Sequence, residues 1–261
     1  MQDTALFISS PLLWDFSTKD IFLKAYEQRM GLELFHQHMD LLEVKPEDIL
    51  ALREQYPVDL FLHAYSWDLN LSSLHREIRE LSVKLTKKSI DFAKAIGAKD
   101  VTIHFGRETI FISPGFYDRL MKESIDELLD YSQQVNQPIS FEIMEPVGKE
   151  FVTHYSDVKR IVGDLWEDFP ITLDLAHCRS TENIKEFVAA IPKIVKFHIS
   201  NYDRGKYHTA LPDGDIDFKA LKDLLISQHV PFVMEGIEYN GQTHLLNKNI
   251  HFMEENYHEI F

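Results

Sequence analysis

Eight short runs rich in β-branched and aromatic residues recur along this chain, and each is followed by a longer stretch whose apolar residues return with helical period. The runs are ALFIS (5 to 9), LELF (32 to 35), DLFLHA (59 to 64), DVTIHF (100 to 105), ISFEIM (139 to 144), ITLDLA (171 to 176), VKFHIS (195 to 200) and PFVMEG (231 to 236). Helices are predicted near 18 to 30, 46 to 55, 72 to 96, 116 to 136, 155 to 167, 182 to 190 and 217 to 228, with a last one near 243 to 258. Ser17 and Thr181 suit N-caps, Pro46 suits a first turn and Gly97 a helix end. Strands separated by helices pair in parallel, and eight such units in 261 residues, 44% of them hydrophobic, fit one (β/α)8 TIM barrel domain spanning 1–261. An open doubly wound sheet shares the alternation, but no glycine-rich dinucleotide turn follows the first strand here.

The balance of 27 Lys and Arg against 42 Asp and Glu gives a net charge of −15, which disfavours general affinity for nucleic acid or an anionic membrane. A lone cysteine, Cys178, excludes an intramolecular disulfide and fits a reducing compartment. The opening MQDTALFISSPLLW lacks the cationic region of a secretory leader, and no uncharged apolar run approaches the roughly 20 residues of a membrane helix. A cytoplasmic protein without a membrane partner is therefore expected. No exposed apolar stripe stands out as an interface, so a homo-oligomer stays an open expectation.

Each of the last six strand runs carries an ionisable residue toward its C-terminal end: His63, His104, Glu142, Asp174, His198 and Glu235. In a barrel those ends surround one mouth, where catalytic groups sit. A single strand-end histidine reads most simply as a hydrogen-bonded core residue. Six ionisable groups on successive strands are harder to explain that way, because three carboxylates in a dry pocket repel one another unless a cation joins them. Asp174, in FPITLDLAHC, is accordingly best read as a metal ligand. Glu142, Asp174, His198 and Glu235 form a carboxylate-rich set suited to Mn, Mg or Co; His63, His104, His177 and His208 could extend it and move the balance toward Zn.

GLELF, HAYSWDLNL, IRELSVKLTKKSIDFAKAIGAKDVTIHFG, FEIME, LDLAH, KFHISN, HTALPDGDIDF and MEG, in that order, resemble the xylose isomerase-like TIM barrels, which include endonuclease IV and many sugar or sugar-phosphate isomerases and epimerases. For the epimerase-like members the resemblance implies that Glu142, Asp174, His198 and Glu235 bind one divalent metal and that His177 and Arg204 contact substrate oxygens. A metal on a carbonyl and its neighbouring hydroxyl acidifies the C–H between them, and Glu142 and Glu235 could then move that proton through an enediolate. For the endonuclease-like members it implies three zinc ions that also draw on His63, His104, His177, His208 and an aspartate two residues before His208. Here that residue is Lys206, and HQHMDLLEVKPED has no Lys or Arg before Lys45 to grip a DNA backbone.

Other residues carry two readings each. Glu33 reaches the mouth as a substrate or supporting group, or makes a buried salt bridge. Trp14 and Trp67 form an apolar wall for a sugar ring, or pack their own loops. His63, His104, His177 and His208 bind substrate hydroxyls, or further metal. GIEYNGQTHLL, after the eighth strand, stands where many barrels bind phosphate, but no basic cluster accompanies it. The leading expectation is a metal-dependent isomerase or epimerase of a small sugar-like substrate. Behind it stand a zinc phosphodiesterase acting on abasic DNA and a catalytically idle sugar-binding barrel.

Overall fold

The computed structural model describes residues 5–110, 112–113 and 115–260. Residues 1–4, part of the stretch read for a leader, and Phe261, the end of the expected domain, lie outside them. The strands in chain order are β1 (Leu6–Ser9), β2 (Gly31–Phe35), β3 (Leu60–His63), β4 (Val101–His104), β5 (Ile139–Glu142), β6 (Ile171–Asp174), β7 (Ile194–Ile199), β8 (Asn201–Asp203), β9 (Lys206–Thr209) and β10 (Phe232–Met234). β8 and β9 make a small antiparallel hairpin, and the other eight close into a parallel barrel in the order β1-β10-β7-β6-β5-β4-β3-β2. The chain is a (β/α)8 barrel, as the strand and helix periods predict.

The helices are α1 (Thr18–Glu27), α2 (His36–Leu41), α3 (Pro46–Gln55), α4 (Arg76–Ile96), α5 (Phe116–Val135), α6 (Tyr155–Val162), α7 (Leu175–Cys178), α8 (Thr181–Ala190), α9 (Phe218–Ile226) and α10 (His244–Asn256). Ser17 caps α1 by accepting from the Asp20 N–H, Pro46 opens α3, and Gly97 ends α4 at φ 68°, where a side chain would be strained. Ser180, not Thr181, caps α8; Thr181 is its first residue and its hydroxyl accepts from the Asp217 N–H. The long α4 buries Val83, Ile90, Ala93 and Ile96 along one face, as its amphipathic period requires. None of the described helices is long and apolar enough to cross a membrane.

Three short elements escape the sequence pattern. α2 lies in HQHMDLLEVKPED and buries His36, Gln37, His38 and Met39 consecutively before Asp40 and Leu41 reach the surface, so it has no amphipathic period. α7 replaces the end of the predicted strand 171 to 176, because the Asp174 carboxylate caps the Ala176 and His177 N–H groups and turns the chain into a helix. The β8–β9 hairpin occupies what reads as loop.

Side chains alternate across a strand, so every second residue faces the barrel interior. At one level lie Phe7, Phe61 and Val233, with the Phe7 and Phe61 ring centroids 4.3 Å apart. Gly31 pairs with Phe7 and leaves room for its ring; a Cβ there would lie 2.2 Å from Phe7 Cε1. Toward the C-terminal ends the inward residues become polar: Glu33, Thr102, Ser140, Thr172 and Lys196, then His63, His104, Glu142, Asp174 and His198. Gly31→Ala is expected to destabilise the fold by about 1–3 kcal/mol through overpacking of a closed interior, read as a lowered urea midpoint with an unchanged slope.

Candidate metal centre at the barrel mouth

The polar end of the interior is assembled from six strands. Asp174 closes β6 with its two oxygens unequally used: Oδ1 accepts from Ala176 N (2.7 Å) and His177 N (3.2 Å), whereas Oδ2 faces His208 Nδ1 at 3.9 Å and His177 Nε2 at 4.0 Å. The capping geometry that starts α7 therefore also fixes His177. Its Nδ1–H donates to the Ile143 carbonyl (2.8 Å), which aims Nε2 back at the acids. His63 does the same on β3, donating from Nδ1 to its neighbour's carbonyl at Ala64 (2.9 Å) and presenting Nε2 to His104 Nε2 (3.0 Å) and Glu142 Oε2 (3.5 Å). His104 Nε2 lies 3.2 Å from that same oxygen.

His198 sits at the centre. Its Nδ1 is 2.6 Å from Glu235 Oε2 and 3.6 Å from Glu142 Oε1, and its Nε2 is 2.8 Å from Glu33 Oε2. Glu235 follows the last residue of β10, so its carboxylate hangs over the mouth.

Among the described residues, potential donor atoms fall into three groups, in each of which they lie within 4.8 Å of one another: His63, His104 and Glu142; Glu142, Asp174, His198 and Glu235; and Asp174, His177 and His208. Glu142 and Asp174 each belong to two. Buried polar atoms ordinarily find hydrogen-bond partners. Glu142 Oε1 and Oε2, Asp174 Oδ2, His177 Nε2 and Glu235 Oε2 are buried with none. Orphaned oxygen and imidazole donors converging on one volume fit a divalent cation, which satisfies them together.

The electrostatics of the protein's own groups point the same way. Burial pushes the Asp174 carboxyl up to about 6, against the pull of His177 and His208. Burial opposes ionisation of Glu142 too, but His198 and His104 outweigh it and hold the group well below the ordinary carboxylate range. Burial would discharge His177, yet Asp174, Glu142 and Glu145 raise it to about 9. Asp174 is the acid of the set whose charge the neighbouring imidazoles leave incompletely compensated.

The remaining residues singled out in the sequence divide. His208, on β9, reaches the centre while its Nδ1 contacts Ser200 Oγ (3.0 Å), and Lys206, two residues earlier, is exposed. Glu33 does not open to the mouth as a substrate contact; it is fully buried on the far side of the His198 ring. Arg204 stands at the tip of the β8–β9 hairpin with its side chain 87% exposed, bonded to Asp203 Oδ1 (3.0 Å), so the substrate contact expected of it is not formed by its present position. Trp14 stacks on His38 (4.5 Å between centroids) and meets Trp67 at 5.6 Å and Tyr239 at 6.2 Å. Trp67 and Tyr239 are exposed, so the loops after β1, β3 and β10 present an aromatic surface beside the centre.

Four residues near the centre escape a reading of strand ends: Tyr239, Glu145, whose Oε2 is 3.5 Å from His177 Nε2, and the buried Lys196 and Asp100. Lys196 and Asp100 carry a usable signal. They stand two and four residues before His198 and His104, on the same inward face.

The chain belongs to the xylose isomerase-like TIM barrel family, whose model matches residues 26–255. Among curated relatives, the uncharacterized protein MJ1188 of Methanocaldococcus jannaschii is 29% identical over 229 residues, covering 83% of each chain. Among solved structures, a D-tagatose 3-epimerase-like protein superposes with a TM-score of 0.81 at 20% identity, covering 98% of each chain. Endonuclease IV from Thermus thermophilus superposes with a TM-score of 0.70 at 16% identity, covering 96% of this chain and 99% of that one. Identities this low establish a shared barrel, and function must be argued from the site.

Divalent cation is expected to stabilise the native chain against unfolding, by about 2.7 kcal/mol at a hundredfold excess over its dissociation constant. EDTA should reverse the gain, and Glu142→Gln should remove most of it, since Glu142 serves two donor groups. Thermal unfolding with Mn, Co, Mg and Zn checks this; no shift with any of them would exclude the centre.

Proposed function

We propose that this chain is a divalent-metal-dependent isomerase or epimerase acting on a small sugar, sugar phosphate or polyol-type substrate. The observation that carries the reading is the convergence of Glu142 and Glu235 on His198 Nδ1 from positions separated around the barrel by β6 and β7. Two carboxylates on opposite sides of one small volume are what a proton needs to leave a carbon from one side and return from the other. Glu142, Asp174, His198 and Glu235 would hold Mn, Mg, Co or Zn, which when bound would withdraw electrons from a carbonyl and its adjacent hydroxyl and so acidify the C–H between them.

Return of the proton to the opposite face of the same carbon gives an epimer; return to the neighbouring carbon gives a ketose–aldose shift. His63, His104, His177 and His208 stand where substrate hydroxyls would need partners. Trp14, Trp67 and Tyr239 offer the apolar side of the site to a ring or carbon chain. The epimerase-like structural neighbour supports this direction.

Incubation with metal and a panel of ketoses, aldoses and their phosphates in heavy water tests the reading. Deuterium should enter the substrate at a carbon next to the carbonyl. Glu142→Gln and Glu235→Gln should each slow that exchange by about a hundredfold or more. Full exchange in both variants would refute the assigned roles.

One observation favours a second reading. The three donor groups share Glu142 and Asp174, as a multinuclear zinc phosphodiesterase acting on abasic DNA would require. Lys206 in place of an anionic ligand, the lack of Lys or Arg in α2 and the net charge of −15 weigh against it. Zinc-dependent cleavage of an abasic oligonucleotide, abolished by chelator, would promote this reading over the first. Sugar-analogue binding indifferent to chelator, with no exchange, would instead mark an idle binding barrel.

A further inference from the structure

Lys196 lies on β7 two residues before His198 and is fully buried inside the barrel. Lysine is almost never fully buried unless paired. Its Nζ is 2.5 Å from Asp100 Oδ2, 3.5 Å from Glu33 Oε1 and 3.5 Å from Ser140 Oγ, and it stands 4.7 Å over the Phe61 ring. Asp100 also accepts from Ser140 Oγ (2.6 Å). Lys196 and Asp100 alone would balance each other, so a structural ion pair has no need of a second carboxylate. Glu33 nevertheless adds one, fully buried, and the direction of its two oxygens shows where it is used.

Oε1 accepts from the Thr102 hydroxyl (2.8 Å) and lies 3.5 Å from the Lys196 ammonium. Oε2 faces His198 Nε2 at 2.8 Å. Neither atom has a hydrogen-bond partner as the chain stands, and a carboxylate oxygen this close can only accept, so Nε2 is the nitrogen that would keep the ring proton once a cation takes Nδ1. Nδ1 faces two acids of its own, Glu235 Oε2 at 2.6 Å and Glu142 Oε1 at 3.6 Å, so its lone pair is the one that a cation shared with them would use. A carboxylate behind a ligating histidine sets its tautomer, its orientation and its strength as a donor.

We propose that Glu33 is a positioning residue that makes His198 an Nδ1 ligand, and that Thr102 and Lys196 hold its carboxylate aimed at the ring. This rests on the metal-binding part of the proposed function and not on the reaction or the substrate. The roles are unequal: Thr102 and Lys196 fix which oxygen faces the ring, whereas Asp100 anchors the Lys196 ammonium without touching His198.

The amide variant Glu33→Gln makes the test sharp. With its oxygen kept by Thr102 and Lys196, its NH2 group faces His198 Nε2, which must then accept, and the ring proton moves to Nδ1 where it blocks the ligand position. Co2+ binding to the intact chain, measured by competition with a chromophoric chelator, is expected to weaken about 10–100-fold, and the visible Co2+ absorption band should change shape. Asp100→Asn leaves Glu33 on His198 and should lower the thermal midpoint while leaving Co2+ affinity and spectrum in place. Glu33→Asp, which serves if the amide variant does not fold, is one methylene short of the ring and should lose about tenfold.

A folded Glu33→Gln or Glu33→Asp protein with wild-type Co2+ affinity and spectrum overturns the proposal, and so does a wild-type chain that binds no Co2+. Wild-type Co2+ binding with the expected losses, but without turnover of any sugar, upholds it and removes only the reading of the reaction.

Discussion

A closed parallel barrel excludes water from its axis, yet the alternation of side chains along each strand turns every second residue into it. The whole molecule is arranged around that constraint. Near one end, Phe7, Phe61 and Val233 fill the space with apolar volume, and Gly31 gives way so that a phenylalanine ring fits. One level on, the interior accepts charge but pairs it internally, with Lys196 between Asp100 and Glu33. At the mouth acids and imidazoles crowd together, and polar atoms are left without partners. Polarity rises along the axis toward the face where a ligand can enter, and this gradient makes the same cylinder both a stable core and a binding site.

Strand and helix periods made the barrel legible, because eight repetitions of one unit leave little room for another architecture. The mouth was legible for a related reason: ionisable residues at strand ends have no ordinary place in a hydrophobic run. What escaped depended on contacts distant in sequence. α2 buries four residues in a row and exposes its last two, so it lacks amphipathic period, and α7 exists because one Asp174 oxygen captures two backbone N–H groups. Arg204 was assigned by resemblance, and a hairpin invisible to periodicity carries it out to solvent at a backbone φ of 45°. Lys196 was within reach, since stepping back two residues from His198 finds it, but only a closed sheet tells that both side chains share one interior.

The family and the site answer different questions. Membership of the xylose isomerase-like barrels accounts for the order of strands and for the face on which chemistry is built. It does not separate a proton-transfer enzyme from a phosphodiesterase, since structures bearing both kinds of name superpose on this chain. The separation lies in local chemistry: an exposed Lys206 near His208, an acidic chain overall, and an aromatic surface from three loops beside the centre. Lys206 bears on the metal count, in place of an anionic ligand; the acidic chain and the aromatic surface are the features that speak, under the proposed function, for a small ligand over a long polyanion.

Glu33, Asp100 and Lys196 sit on three different strands or their approaches, contributed by segments up to 163 positions apart, counting from 33 to 196. Loss of the lysine alone would strand two carboxylates away from water, and loss of either carboxylate leaves the others in altered company. Heritable change at these positions is therefore constrained as a set. A change at one of the three positions alone carries the penalty of an unmatched interior charge. The arrangement acts as a lineage marker written in charge, readable in any relative by asking whether the three positions change together.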